Sequence, residues 1–170
     1  MKGITLEATR PDHQEFLYEL FWNTHPELTG IEGMSDDQME GLLRLQFDIR
    51  QEQLMQLYPN AERNLIFLHG IPVGCIIVDY GRNLRLVEIG LLEPYRGMGI
   101  GGYVIRDLID KAKDLGKDIS LQVLWCNKAA YQFYSNLGFT VDHNNDVTYE
   151  MRYRYNTGYQ EKGNCRSTYK

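Results

Sequence analysis

The segment Tyr95-Arg96-Gly97-Met98-Gly99-Ile100-Gly101-Gly102 places four glycines within six residues, directly behind an arginine. Glycine lets backbone approach a ligand with no Cβ in the way. If a helix begins here, its first amides lack intrahelical acceptors and sit at the positive end of the helix dipole. Together these features make a cradle for a pyrophosphate. The plain alternative is a tight strand-to-helix turn. A dinucleotide fingerprint is formally present, since Gly97, Gly99 and Gly102 satisfy GxGxxG and Asp118 lies at about the expected distance downstream. A GxGxxG alone is weak, and no GK[ST] follows, which removes a Walker A loop.

The elements around the loop decide between these readings. Residues 3–9 can form a first strand. Pro11-Asp12 opens a helical stretch with Phe16, Leu17, Leu20 and Phe21 at helical spacing. A loop is expected from His25 to Gly33. Ser35 before Asp36-Asp37 suits a helix N-terminus, and Leu42, Leu43, Phe47, Leu54 and Leu57 carry that helix towards Pro59. The period then changes. Residues 65–69, 73–80 and 84–92 read as an antiparallel meander turned at Gly70-Ile71-Pro72 and Gly81-Arg82-Asn83. After the glycine loop, Val104, Leu108, Ile109, Ala112 and Leu115 mark one apolar helix face, stopped by Gly116. A strand over 119–124, a helix over 128–137 and a closing hairpin from 139–141 and 147–155 complete the pattern. A meander in front of the loop disfavours a dinucleotide fold, which needs a parallel βαβ unit there. Asp118 also opens a strand, whereas the ribose-binding acid of that fold ends one.

A chain of 170 residues suits one domain, expected over residues 1–155, with 156–170 a polar tail or an arm onto a neighbour. Net charge is −5 with no basic stripe, which argues against a nucleic-acid partner. No apolar run approaches membrane-spanning length and no signal-peptide core opens the chain, so no membrane partner and a cytoplasmic location are expected. Cys75, Cys126 and Cys165 are far apart and lack zinc spacing. Cys75 and Cys126 lie in apolar runs and read as buried free thiols of a reducing compartment. No metal site is expected.

Two stretches at a fixed separation resemble a known family. Arg96-x-x-Gly99-x-Gly101 is similar to the coenzyme A signature of the GNAT acetyltransferases. Asn127-Lys128-Ala129-Ala130 followed by Phe133-Tyr134-x-x-Leu137-Gly138-Phe139 resembles that family's second motif. The resemblance runs from about Ile66 to Phe139. It implies an α/β fold of α+β type, with a mixed, mainly antiparallel sheet flanked by helices. It also implies transfer of an acetyl group from acetyl-coenzyme A to an amine of a small molecule or peptide, by direct attack in a ternary complex. A non-catalytic acyl-coenzyme A sensor is the alternative, and a homodimer is compatible with either.

Carried over residue by residue, the resemblance assigns the pyrophosphate to the amides of Gly97, Met98, Gly99, Ile100, Gly101 and Gly102, with Arg96 adding charge. The backbone of Ile89, Gly90 and Leu91 would pair with the pantetheine arm and polarise the thioester carbonyl. Gly90 within a strand fits a bulge or a close ligand approach. Tyr134 aligns with the general acid that protonates the departing thiolate; packing as a core aromatic is compatible with that. Asn127 would contact coenzyme A, or simply cap the next helix. Some relatives carry a glutamate five residues before this asparagine, where Gln122 stands here. Glu88 is the nearest carboxylate in sequence to the cleft. In a regular strand it faces away from Val87 and Ile89, so it is either a proton acceptor brought in by a bulge or a solvated strand acid.

Overall fold

The computed structural model describes residues 3–25 and 33–155. The expected loop from His25 to Gly33 lies mostly outside these residues, and the tail 156–170 lies wholly outside them, as does Cys165. Seven strands form one sheet in the order β1-β2-β3-β4-β5-β7-β6. They are β1 (Ile4–Ala8), β2 (Glu62–Leu68), β3 (Ile71–Tyr80), β4 (Leu84–Leu91), β5 (Ile119–Leu124), β6 (Thr140–Asn144) and β7 (Thr148–Tyr153). All neighbours are antiparallel except β4 and β5. This is the mixed, mainly antiparallel sheet that the sequence implied.

The helices are α1 (Gln14–Thr24), α2 (Asp36–Leu57), α3 (Ile100–Leu115) and α4 (Lys128–Asn136). Ser35 caps α2 by accepting from Gln38 N–H, and the Gln38 side chain returns the bond to Ser35 N–H. Helix α3 buries Val104, Ile105, Leu108, Ile109 and Ala112, against Leu84, Leu86, Ile119, Leu121 and Met151 of the sheet. Leu20 of α1 and Leu54 of α2 pack with Leu65, Cys75 and Ile77 on the opposite face. The sheet is thus sandwiched between two helical layers, each supplying an apolar stripe at helical period.

Two features depart from the sequence-based pattern. The β2–β3 turn is only His69-Gly70, both at positive φ (52° and 82°), as a two-residue turn of the primed type requires. Ile71 and Pro72 therefore belong to β3. A bulge follows at once, since Ile66 pairs with Gly74 and Phe67 with Pro72, leaving Val73 extra. The second departure is in β4. Val78 pairs with Leu86 and Ile77 with Glu88, so Val87 is an extra residue.

The parallel ladder between β4 and β5 holds only Leu84 with Ile119 and Arg85 with Ser120. Beyond Arg85 the strands diverge, and β4 keeps β3 as its ladder partner while β5 keeps β7. The sheet opens at that point, and the glycine loop lies at its mouth. Among the described residues, no helix is long and apolar enough to cross a membrane.

Candidate active site

The loop is built by its glycines. After a 3-10 turn over Glu93–Tyr95, Gly97 and Gly99 adopt φ of 73° and 82°, a region that side chains with a Cβ resist. Gly99 is the N-cap of α3 and supplies no side-chain cap. The first bond of the helix runs from Tyr103 N–H to Gly99 O at 3.0 Å. The amides of Ile100, Gly101 and Gly102 therefore have no intrahelical acceptor and sit at the positive helix end.

These residues face a cavity of about 520 Å³ between the end of β4, the glycine loop and α4. Ile89, Gly90, Leu91, Arg96, Gly97, Gly99, Gly101, Gly102 and Tyr134 all line it. Residues more than forty apart in sequence are thus brought to one cleft. Thr24, Ala130 and Phe133 line it as well, although the motifs alone did not assign them. Ala130 and Phe133 stand within the second motif and present the same helical face as Tyr134, a signal that was available. Thr24 had none; it reaches the cleft because α1 crosses β4 at Gly90. A Cβ on Gly90 would lie 3.2 Å from Thr24 Cγ2 and 3.8 Å from Leu20 Cδ1. Helix α1 thus approaches Gly90 closely, and the bulge stands three residues earlier.

Gly74 is a further residue that sequence reasoning missed. A Cβ there would lie 2.3 Å from Gly90 O and 2.6 Å from Leu91 Cδ2. Only glycine lets β3 lie so close behind the stretch of β4 that walls the cleft.

Arg96 is more than a charge at the loop. Its Nε donates to Leu91 O at 2.9 Å and its Nη2 to Asn23 O at 2.8 Å. It thereby ties the end of β4 to the last turn of α1 across the mouth of the cleft. The side chains of Met98 and Ile100 do not line the cavity. Met98 is exposed and Ile100 is buried in the core under α3, so only their backbone can serve a ligand. Asn127 accepts from Ala130 N–H at 3.0 Å as the N-cap of α4 and lies outside the cavity lining.

Tyr134 is 8% exposed. Its ring packs edge-on against Phe133 and Phe139, with centroids 5.0 and 5.5 Å away. Burial pushes its phenol up to about 12, because an anion there would lose its hydration. The group stays protonated across the physiological range and is a donor. Among the described residues its hydroxyl has no protein partner, and it is not one of the sealed-off atoms lacking one.

Glu88 does not line this cleft. Leu84 and Leu86 point to the α3 layer, and strict alternation would send Glu88 after them. The extra residue at Val87 reverses the phase, so Val87 and Glu88 both face α1 and α2, while Ile89 and Leu91 return to the α3 side. Glu88 thus shares a face with Val87, contrary to the regular-strand expectation, and opposes Ile89 in agreement with it. Its carboxylate accepts from Arg50 Nη2 of α2 at 3.1 Å and borders a second cavity of about 280 Å³. Cys75, on the same face, is buried, and burial pushes its thiol up to about 12. Cys126, expected to be buried, is exposed in the turn between β5 and α4, where its neighbours leave the sheet.

Comparison with known proteins gives a consistent result. The model of the acetyltransferase (GNAT) family matches residues 14–139. Thialysine N-epsilon-acetyltransferase of Bos taurus is 36% identical over 81 residues, covering 41% of this chain and 48% of that protein. N-alpha-acetyltransferase 50 of Danio rerio is 32% identical over 84 residues, 45% of this chain and 50% of that protein. The chain thus spans half or less of the curated relatives it matches. Among solved structures, the PaiA N-acetyltransferase of Thermoplasma acidophilum, crystallised with coenzyme A, superposes with a TM-score of 0.66 at 19% identity. That match covers 89% of this chain and 99% of that one. The open sheet, its glycine loop and the extent of the family match agree, and the chain belongs to the GNAT acetyltransferase family.

Proposed function

We propose that the protein transfers an acetyl group from acetyl-coenzyme A to the amine of a small molecule or peptide. One observation carries this reading: a single cleft is lined by the positive-φ glycines, by the half-buried end of β4 whose far edge is unpaired and by a protonated, buried tyrosine. The residues fit the group. Gly97 and Gly99 leave open backbone where a Cβ would intrude, and the amides of residues 100–102 offer donors to a pyrophosphate. Two relatives support the acceptor class, one named for N-alpha-acetylation and one for a thialysine N-epsilon amine.

When bound, acetyl-coenzyme A supplies an acyl carbon activated by a thiolate leaving group. This chain's residues then have three tasks. The unpaired edge of β4 at Ile89–Leu91 orients the thioester. Tyr134 gives its proton to the departing sulfur as the C–S bond breaks. Glu88 receives a proton from the amine nitrogen as the new C–N bond forms, from the α1/α2 side of the strand. The ammonium form of the amine loses two protons in all, one replacing that of Tyr134 and one leaving to solvent. The free thiols of Cys75 and Cys126 fit a reducing compartment such as the cytoplasm.

The test is a thermal-shift panel with acetyl-coenzyme A, coenzyme A, NAD and NADP, followed by thiol release with an amine library. Stabilisation by the first two and amine-dependent release are expected. Stabilisation by acetyl-coenzyme A without turnover of any amine would leave a sensor. Stabilisation by NAD or NADP alone would overturn the assignment.

A further inference from the structure

The second cavity lies over two cross-strand rows that face α1 and α2. Arg63, Ile77 and Glu88 are register partners on β2, β3 and β4, and Leu65, Cys75 and Gly90 form the next row. Arg63 and Glu88 therefore stand at opposite ends of one slot, two inter-strand spacings apart, about 10 Å between backbones. Between them the floor is apolar, and Leu17 and Leu20 of α1 help to close the slot from above. One end is cationic. Arg63 Nη1 donates to Gln51 Oε1 at 3.3 Å, while Nη2 is sealed from solvent and has no partner among the described residues. A buried guanidinium N–H left unpaired is costly, and a turn of the Arg63 guanidinium towards an anion in the cavity it lines removes that cost. Arg10 borders the same cavity. The other end carries the Glu88 carboxylate, which already accepts from Arg50 Nη2 at 3.1 Å and stands two residues before Gly90. Gly90 also borders the acetyl-coenzyme A cleft, and Leu20 and Thr24 of α1 pack over it between the two cavities.

We infer that this slot holds the acceptor, and that the acceptor is a compact amine carrying a carboxylate, an amino acid or close analogue. Its carboxylate pairs with Arg63 and its amine lies at Glu88, and it reaches the thioester when the Leu20 and Thr24 side chains that pack over Gly90 turn aside. Charge makes the choice. Glu88 is already balanced by Arg50, so the uncompensated charge of the slot is that of Arg63, which favours an acceptor carrying a carboxylate, whereas a diamine places a second cation against Arg63 in a site of low dielectric. Cys75 on the floor does not compete for the acetyl group, because its buried thiol remains protonated. This inference rests on the transferase reading and gives it a substrate class.

The experiment compares matched amines that differ only in the carboxylate: L-lysine with cadaverine, β-alanine with ethylamine, and γ-aminobutyrate with propylamine. Coenzyme A binding is first measured by calorimetry; its absence would refute the transferase reading itself. With coenzyme A binding intact, wild-type kcat/KM should favour at least one carboxylated member over its partner by about tenfold or more. Arg63→Gln should bring that ratio near unity, chiefly through KM, with unchanged coenzyme A affinity, and Arg63→Lys should retain most of the preference. Three results would overturn the proposal. One is equal or better use of every decarboxylated partner by wild type. Another is a preference that survives in Arg63→Gln. The third is a wild-type enzyme that binds coenzyme A and neither acetylates nor binds any carboxylated member.

Discussion

Replacing Tyr134 by phenylalanine separates packing from the proposed chemistry at a single residue. The ring contacts with Phe133 and Phe139 are kept, and the hydroxyl has no protein partner to strand. Stability at neutral pH should therefore change by less than about 0.5 kcal/mol. If the phenol protonates the leaving thiolate, kcat should fall by about two to four orders of magnitude, or about 3–5 kcal/mol of barrier. Thiol release at saturating amine measures this, and calorimetry should return a near-normal coenzyme A Kd. Because burial holds the phenol up to about 12, this group should impose no basic limb on the rate at any ordinary assay pH.

The same shift yields an independent check of burial. In the unfolded chain the phenol titrates near its ordinary value of about 10. Between there and about 12 the folded state holds the proton that the unfolded state has lost. The stability contributed by this group is therefore whole below pH 10 and falls away as pH rises through 12, by about 2–3 kcal/mol. Alkaline denaturation should be shallower in Tyr134→Phe than in wild type by roughly that amount. Full kcat in the variant would show that water protonates the thiolate. A weakened Kd with unchanged kcat would make Tyr134 a packing residue of the cleft.

Three further outcomes are expected. Gly101→Val should fold within about 1 kcal/mol of wild type, because a Cβ there meets Phe133 Cζ and Leu91 Cδ1 only at 3.7 and 3.8 Å. Its γ-methyls enter the cleft, and coenzyme A affinity should drop about 100-fold by titration; an unchanged Kd would remove the cradle. Gly74→Ala should cost about 1–3 kcal/mol in chemical denaturation and lower kcat/KM, since its Cβ would collide with Gly90 O; a neutral variant would mean that β4 can yield. Glu88→Gln keeps the shape and removes the basicity, so kcat/KM should fall about tenfold or more with the coenzyme A Kd unchanged. Equal activity at every pH would assign the proton to water.

Much of this architecture was legible because its signals are local. The stripe Val104, Leu108, Ile109 and Ala112 repeats at the helical period and is buried as that period demands. Ser35 before Asp36-Asp37 announces the start of α2. Gly97 and Gly99 occupy conformations that other residues resist, which is why the loop stands out in the sequence. What was hidden depends on contacts between distant segments. Thr24 joins the cleft, and Gly74 is required behind it, only because α1 and β3 both press against Gly90. Nothing near residue 24 or 74 records that. Asn127 shows the limit from the other side, since a capping residue and a ligand-binding residue look alike until the cavity lining is known.

Val87 shows how one backbone irregularity separates two tasks. The run Leu84-Arg85-Leu86-Val87-Glu88-Ile89 gives no warning of a bulge, because every residue in it suits a regular strand. In a regular strand Leu84, Leu86 and Glu88 would share the α3 face, and a carboxylate would be driven into the core beneath that helix, at severe cost. The extra residue rotates the strand by half a period. Glu88 emerges towards α1 and α2, where Arg50 meets it, and Ile89 and Leu91 regain the α3 face to wall the cleft. The strand thereby presents its backbone edge to one cavity and its carboxylate to another, with Gly90 thin enough between them for α1 to close over the join. A transferase that brings two substrates together from opposite sides of a strand needs Glu88 and Ile89 on opposite faces, and a variant lacking Val87 should therefore keep its coenzyme A Kd and measurable thiol release. The deletion leaves Leu86 opposite Val78 and Glu88 opposite Ile77 in an unbroken ladder, so each side chain keeps its face; complete loss of turnover in a folded, coenzyme A-binding deletion variant would refute this account of the bulge.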